Sequence, residues 1–184
     1  MVGSIGILEL SSIAAGYTIQ DTVLKAAEVE LLVARTICPG KYLIVIGGQV
    51  GSVNAAMEAG AEISGGFLVD KLILASIDPT VFPALSGCVE IPDKSNNSLG
   101  IIETFSAASI VRAADAAVKA ASVILFRVHL SMAVGGKGFL LVAGDVGSVN
   151  AAVSAGIEEI KDEGILVNKA VLSGVSRELF REYI

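Results

Sequence analysis

The sequence predicts an α/β (α+β) chain built from two tandem βαββαβ domains. Three observations carry this: an internal repeat, apolar runs that switch between strand-like and helix-like periodicity, and a polar, turn-rich stretch near mid-chain. Residues 6–35 align with 100–129 at an offset of 94, sharing Gly6/Gly100, Ile7/Ile101, Glu9/Glu103, Asp21/Asp115 and Lys25/Lys119. Residues 40–60 align with 136–156 at an offset of 96, and there the phrase GxVGSVNAA occurs twice, at 48–56 and 144–152. A shared nine-residue phrase is beyond what an Ala-, Gly- and Val-rich composition produces by chance.

Each element has a local reason. Ile5–Leu10 is a short apolar run that reads as a strand. Ile19, Val23 and Ala26 recur at helical spacing after a polar start, which predicts a helix over Thr18–Ala27. Glu30–Thr36 and Tyr42–Gly47 read as strands, the second buried on both faces because Leu43 to Ile46 is continuously apolar. Val50, Val53 and Met57 predict a helix over Val50–Ala61, and Phe67–Leu74 closes the copy as a strand. The second copy repeats this order to Leu166–Leu172 and ends in a short amphipathic segment, Arg177–Tyr183. Strand, helix, strand, strand, helix, strand is the split βαβ, ferredoxin-like arrangement. The stretch 86–99 marks the boundary, giving domains 1–86 and 100–184 with a linker at 87–99.

Composition narrows the function classes. Of 184 residues 53% are hydrophobic and only 17% charged, with a mean hydropathy of +0.74, which excludes intrinsic disorder. The longest uncharged stretch, Tyr42–Met57, is interrupted by Gly47, Gly48, Gln49, Gly51, Ser52 and Asn54. A spanning helix needs about 18–20 apolar residues, so no membrane crossing is expected. The N-terminus has no basic region and carries Glu9 in its first apolar run, so no signal peptide is expected. A net charge of −6 without a basic stripe argues against nucleic acid. Two cysteines, Cys38 and Cys88, are too few for a disulfide framework, and a reducing cytoplasm is expected. The apolar excess predicts contacts with further copies of the chain.

The change of offset between the aligned windows localises the difference between the copies. The first reads Thr36-Ile37-Cys38-Pro39-Gly40, and the second Leu130-Ser131-Met132-Ala133-Val134-Gly135-Gly136, two residues longer. Loops on a fixed scaffold are where function varies. Gly47-Gly48-Gln49-Val50-Gly51-Ser52 lacks the Lys-Ser/Thr of a phosphate-binding loop and reads as a tight strand-to-helix turn. No catalytic dyad or nucleophile–base set emerges, so an enzyme is not expected.

GILEL (6–10), DTVLKAA (21–27), GGQVGSVNAAMEAG (47–60) and their partners DAAVKAA (115–121) and GDVGSVNAAVSAG (144–156) resemble bacterial microcompartment (BMC) shell domains. The resemblance covers nearly the whole chain, and two domains per chain imply the tandem class, whose members form homotrimers that imitate hexamers. TICPGK (36–41) narrows it to the propanediol-utilisation type, which implies an iron–sulfur cluster at a central pore. The same resemblance implies that Thr36, Ile37, Cys38, Pro39 and Gly40, with Ser131, Met132, Ala133, Val134, Gly135 and Gly136, line that pore. It further implies that Lys25 and Lys119 meet neighbouring shell proteins at the tile edge. A basic edge motif common in the family is missing after the last strand of each copy, where Ser76-Ile77-Asp78-Pro79 and Ser173-Gly174-Val175-Ser176 stand instead.

Taken alone, Cys38 reads as a small buried hydrophobe, since no CxxC accompanies it. A three-fold axis changes the count, bringing one thiolate from each chain. Three thiolates suit a [4Fe–4S] cluster with an open fourth iron; zinc, or no metal, are the alternatives. Lys41 facing the pore would favour the thiolate. Cys88 reads as incidental, His129 as a packed or solvated strand-end residue, and Glu9 and Glu103 as structural hydrogen-bonding groups. The expected function is a shell tile in the cytoplasm whose pore cluster moves electrons, with other shell proteins and a lumenal redox enzyme as partners. The alternatives are a metal-free tile with a small-metabolite pore, and a soluble ferredoxin-like regulatory protein.

Overall fold

The computed structural model describes residues 3–89, 98–176 and Leu179; the predicted segment Arg177–Tyr183 therefore lies, apart from Leu179, outside the described residues, as does most of the linker. The chain forms two compact units, Met1–Ile77 with Met132–Gly136, and Asp78–Ser131 with Lys137–Ile184.

The first unit runs β1 (Ser4–Leu10), α1 (Ile13–Ala26), β2 (Glu30–Ile37), β3 (Lys41–Gly48), α2 (Val50–Ser64) and β4 (Leu68–Ala75). Its antiparallel sheet has the order β2-β3-β1-β4. Leu8 and Leu10 of β1 and Tyr42, Ile44 and Ile46 of β3 share one sheet face, because side chains alternate along a strand. They pack with Ile19 and Val23 of α1 and Val53, Ala56 and Met57 of α2 in one buried cluster. Each such side chain removed from water contributes about 1.5–3 kcal/mol. The other face of β1 and β3 is also closed, with Ile5, Ile7, Leu43 and Val45 fully buried.

After α3 (Val81–Ser86), the second unit repeats the plan as β5 (Ser98–Thr104), α4 (Ala107–Ala120), β6 (Ile124–Leu130), β7 (Gly138–Gly144), α5 (Val146–Ile160) and β8 (Leu166–Ser173), with sheet order β6-β7-β5-β8. Even the irregularities repeat: register shifts fall at Leu31/Val33 and Leu125/Arg127, and at Glu9/Leu10 and Glu103/Thr104.

Two features depart from the sequence expectations. The first helix begins at Ile13 rather than Thr18, because the Ser12 side chain accepts the Ala15 N–H and caps it there. The helix α3 was not expected, and it falls within the second compact unit. It packs on β6, and the Asp78 N–H before it donates to the Asp115 carboxylate at 2.8 Å.

Candidate functional site

The β2–β3 hairpin ends in the pairs Thr36–Tyr42 and Ile37–Lys41, leaving Cys38-Pro39-Gly40 as the turn. Pro39 has no N–H to lose and follows a cis peptide bond, and Gly40 takes φ +72°, a left-handed conformation that favours glycine. Ile37 points into the protein and is buried, whereas Cys38 is half-buried at the tip with Pro39 and Gly40 exposed. The thiol is free.

The longer loop between β6 and β7 is wound through four positive-φ residues, Ser131, Ala133, Gly135 and Gly136. Its central residues, Met132 to Gly136, cluster with the first unit, while Ser131 and Lys137 on either side stay with the second. Gly136 explains the fit: a Cβ there would stand 3.0 Å from the Cys38 carbonyl oxygen and 3.2 Å from Pro39 Cδ. The two divergent loops of the repeat thus meet, with Cys38 and Pro39 against Gly136. Met132, Ala133 and Gly135 are exposed beside them.

An ion pair anchors each hairpin. Lys41 Nζ donates to Glu9 Oε1 at 2.5 Å, and Lys137 Nζ to Glu103 Oε1 at 2.7 Å. Glu9 is 3% exposed and its Oε2 has no partner, whereas Glu103 is 30% exposed. Lys41, weighed in the sequence as a group that would favour the Cys38 thiolate if it faced the pore, is paired with Glu9. The expected structural role of the two glutamates is what the geometry displays. Both acid–base pairs were present in the self-alignment, as Glu9/Glu103 and Lys41/Lys137, and repetition of two opposite charges was the signal for their pairing. Arg35 on β2 also went unnoticed: its Nε is buried without a partner, and burial lowers the guanidinium pKa from its ordinary value.

His129, aligned with Arg35, stacks on Phe139 at 4.8 Å between ring centroids. Lys25 and Lys119 lie in the last turns of α1 and α4 and pair with Asp21 and Asp115, each at 2.6 Å. Cys88 is exposed after α3, its Sγ 3.6 Å from the Ser86 carbonyl oxygen. Among the described residues, no three His, Cys, Asp or Glu side chains of one chain gather as a metal site.

The BMC domain family matches residues 4–77 and 98–175, one match to each βαββαβ unit. The chain belongs to the bacterial microcompartment shell proteins. It is 44% identical over 184 residues to the bacterial microcompartment shell protein PduT of Citrobacter freundii, covering all of this chain and 99% of that protein. It is 32% identical to the carboxysome assembly protein CcmO of a Synechocystis strain, over 89% of this chain and 58% of that one. A crystal structure of a microcompartment protein from Desulfitobacterium hafniense superposes with a TM-score of 0.90 at 40% identity, covering 97% of this chain and 98% of that one. These relatives are structural proteins rather than enzymes, and the present chain is accordingly a structural shell protein with two BMC domains. Among the described residues, no helix of this shell protein is long and apolar enough to cross a membrane.

Proposed function

We propose that the shell protein is a homotrimeric, pseudohexameric tile whose pore is lined by the Thr36–Gly40 and Ser131–Gly136 loops and holds one [4Fe–4S] cluster through three copies of Cys38. The observation that carries this is a single free, half-buried thiol at a hairpin tip braced by the other pore loop. One chain offers too few ligands for a cluster, and thiolate is the donor type that iron–sulfur clusters take, so the residues fit only when three chains each supply one. A bound cluster would supply one-electron redox chemistry, here electron transfer across the shell with a redox enzyme in the lumen as partner. The chain's own contribution is to hold the thiol: Gly136 permits close backing of the turn, and the Glu9–Lys41 pair fixes the base of the hairpin. Lys25 and Lys119 serve lateral contacts with other shell proteins.

The trimer is supported by complementary differences between the copies. In the first, Ile5, Ile7, Leu43 and Val45 are buried; their equivalents Leu99, Ile101, Phe139 and Leu141 line an open groove of about 320 Å³. In the second, Ala107 and Val111 of α4 are buried; their equivalents Ile13 and Tyr17 of α1 are exposed. An apolar face more open in one copy than in the other, an apolar groove in the second and the exposed side of α1 in the first, is what a head-to-tail ring covers.

The test is iron and labile sulfide per trimer in anaerobically prepared protein. Full occupancy corresponds to four iron and four sulfide, and Cys38→Ser is expected to abolish it while the trimer persists. Colourless protein after reconstitution would instead favour the metal-free tile with a small-metabolite pore. Family membership replaces the soluble regulatory alternative.

A further inference from the structure

The two hairpin loops differ in backbone as well as in sequence. The turn Cys38-Pro39-Gly40 holds one left-handed residue, Gly40. The longer loop alternates: Ser131 (φ +55°), Ala133 (φ +60°) and Gly135 (φ +66°) are left-handed, while Met132 and Val134 between them keep negative φ. Serine and alanine hold that conformation only at a cost, so the alternation is imposed rather than chosen by the residues. The chain also bends sharply at each position from Ser131 to Val134. Successive residues of opposite hand turn their N–H groups into one concavity, a nest that takes anions, phosphates and iron–sulfur clusters among them.

The donors of this loop are unused. Among the described residues, the N–H groups of Ala133, Val134 and Gly135 donate to no backbone or side-chain acceptor. Ser131, which opens the loop, is 1% exposed, and its buried Oγ has no partner. The loop also stands where the thiol is. Met132–Gly136 cluster with the unit that carries Cys38, and a Cβ on Gly136 would lie 3.0 Å from the Cys38 carbonyl oxygen.

Charge supplies the reason for such donors. A thiolate-ligated [4Fe–4S] cluster is an anion, and reduction makes it more negative. Neither loop contains Lys, Arg or His, and the lysines that follow them, Lys41 and Lys137, are paired with Glu9 and Glu103. Backbone N–H groups are what the loops themselves offer against that charge.

We propose that the Ser131–Gly136 loop is an anion cradle whose Ala133, Val134 and Gly135 N–H groups donate hydrogen bonds to the sulfur atoms of the cluster held by Cys38. The inference rests on the cluster reading above. The two copies then divide the work. The first loop supplies the ligand, and the second tunes the reduction potential, because hydrogen bonds to sulfur favour the more negative, reduced form.

The experiment compares the anaerobic iron-loaded trimer with the Cys38→Ser trimer by amide hydrogen exchange over residues 132–136, with iron measured in both. Exchange at 133–135 at least about ten-fold slower in the loaded trimer is expected. Equal exchange at full iron occupancy overturns the cradle and leaves the cluster standing, whereas iron-free protein of the natural sequence overturns both. Two variants read the donors themselves. Ala133→Pro removes one N–H and excludes the positive φ, and Ala133→Gly keeps both. Ala133→Pro is expected to shift the balance about ten-fold toward the oxidised cluster, a fall of about 59 mV for one electron, with Ala133→Gly at the unsubstituted value. Slowed exchange with potentials unmoved across the series overturns the proposal, since shielding of the loop alone produces that result. Should Ala133→Pro lose its iron, the exchange comparison decides by itself.

Discussion

In the first BMC domain a tyrosine on β3 fills the space beside a glycine on α1; in the second an isoleucine on α4 fills that space beside a glycine on β7. A Cβ on Gly16 would stand 2.5 Å from the Tyr42 ring, and one on Gly138 would stand 2.7 Å from Ile110 Cγ2. Gly16 is equivalent to Ile110, and Tyr42 to Gly138, so in each domain one large side chain, from strand or from helix, packs on the glycine that faces it. Interiors are packed like organic crystals, and volume-conserving exchanges are what such packing tolerates. Tyr42 and Gly138 stand at the base of the two hairpins. Tyr42 also donates its hydroxyl to Gln20 Oε1 at 2.7 Å, and burial raises its pKa. The comparison teaches that the hairpin scaffold is duplicated while its side-chain solutions are not.

The largest expected effect separates the two ion pairs. Lys41→Met leaves the Glu9 carboxylate buried without a partner and is expected to cost about 3 kcal/mol. Lys137→Met, at a pair about a third exposed, is expected to cost no more than about 1 kcal/mol. Chemical denaturation of the two variants side by side checks this; equal losses would mean that the burial difference is energetically silent.

Next comes the exchanged packing. Gly16→Ile forces a side chain into the Tyr42 ring and is expected to destabilise by about 2–3 kcal/mol. Adding Tyr42→Gly, which recreates the arrangement of the second domain, should recover at least half of that loss in the melting profile. Without recovery, the two domains would not be solving the same packing problem.

The smallest effect concerns the helix that starts within the repeated Gly-X-Val-Gly-Ser phrase. Asp145 caps α5 by accepting the Ser148 N–H at 2.9 Å, and Gln49 gives α2 no such bond. Hydrogen bonds from the Ser148 hydroxyl and N–H hold the Asp145 carboxyl below the usual carboxylate range. A lowered folded-state pKa contributes stability above the unfolded value, lost as pH falls through the folded one. Asp145→Asn should therefore flatten the acid limb of the second domain's stability and leave the first domain's unchanged, as read by amide exchange across the acid range.

Much of this was legible in the sequence. The strands, the repeat and the divergent hairpin loops follow from apolar periodicity and self-alignment. The start of α1 did not, because Thr18 to Asp21 looks like a polar helix start while Ile13 and Tyr17, both exposed, hide the earlier turn. The helix α3 escaped notice because six residues interrupted by Pro83 give no helical period. The pairing of Lys41 was not read because it stands three residues from Cys38 in sequence, whereas its partner Glu9 lies on another strand.

The high apolar fraction and the doubled phrase together determined, with no coordinates, that the chain is two sheets with helices and that its surface is incomplete alone. Only the tertiary structure decided which faces are left open: the groove beside Leu99 and Ile101, the exposed side of α1, and Leu31 on β2. Periodicity is local and survives duplication unchanged. Burial depends on what lies across from a residue, and in a repeated chain two identical patterns can meet different neighbours.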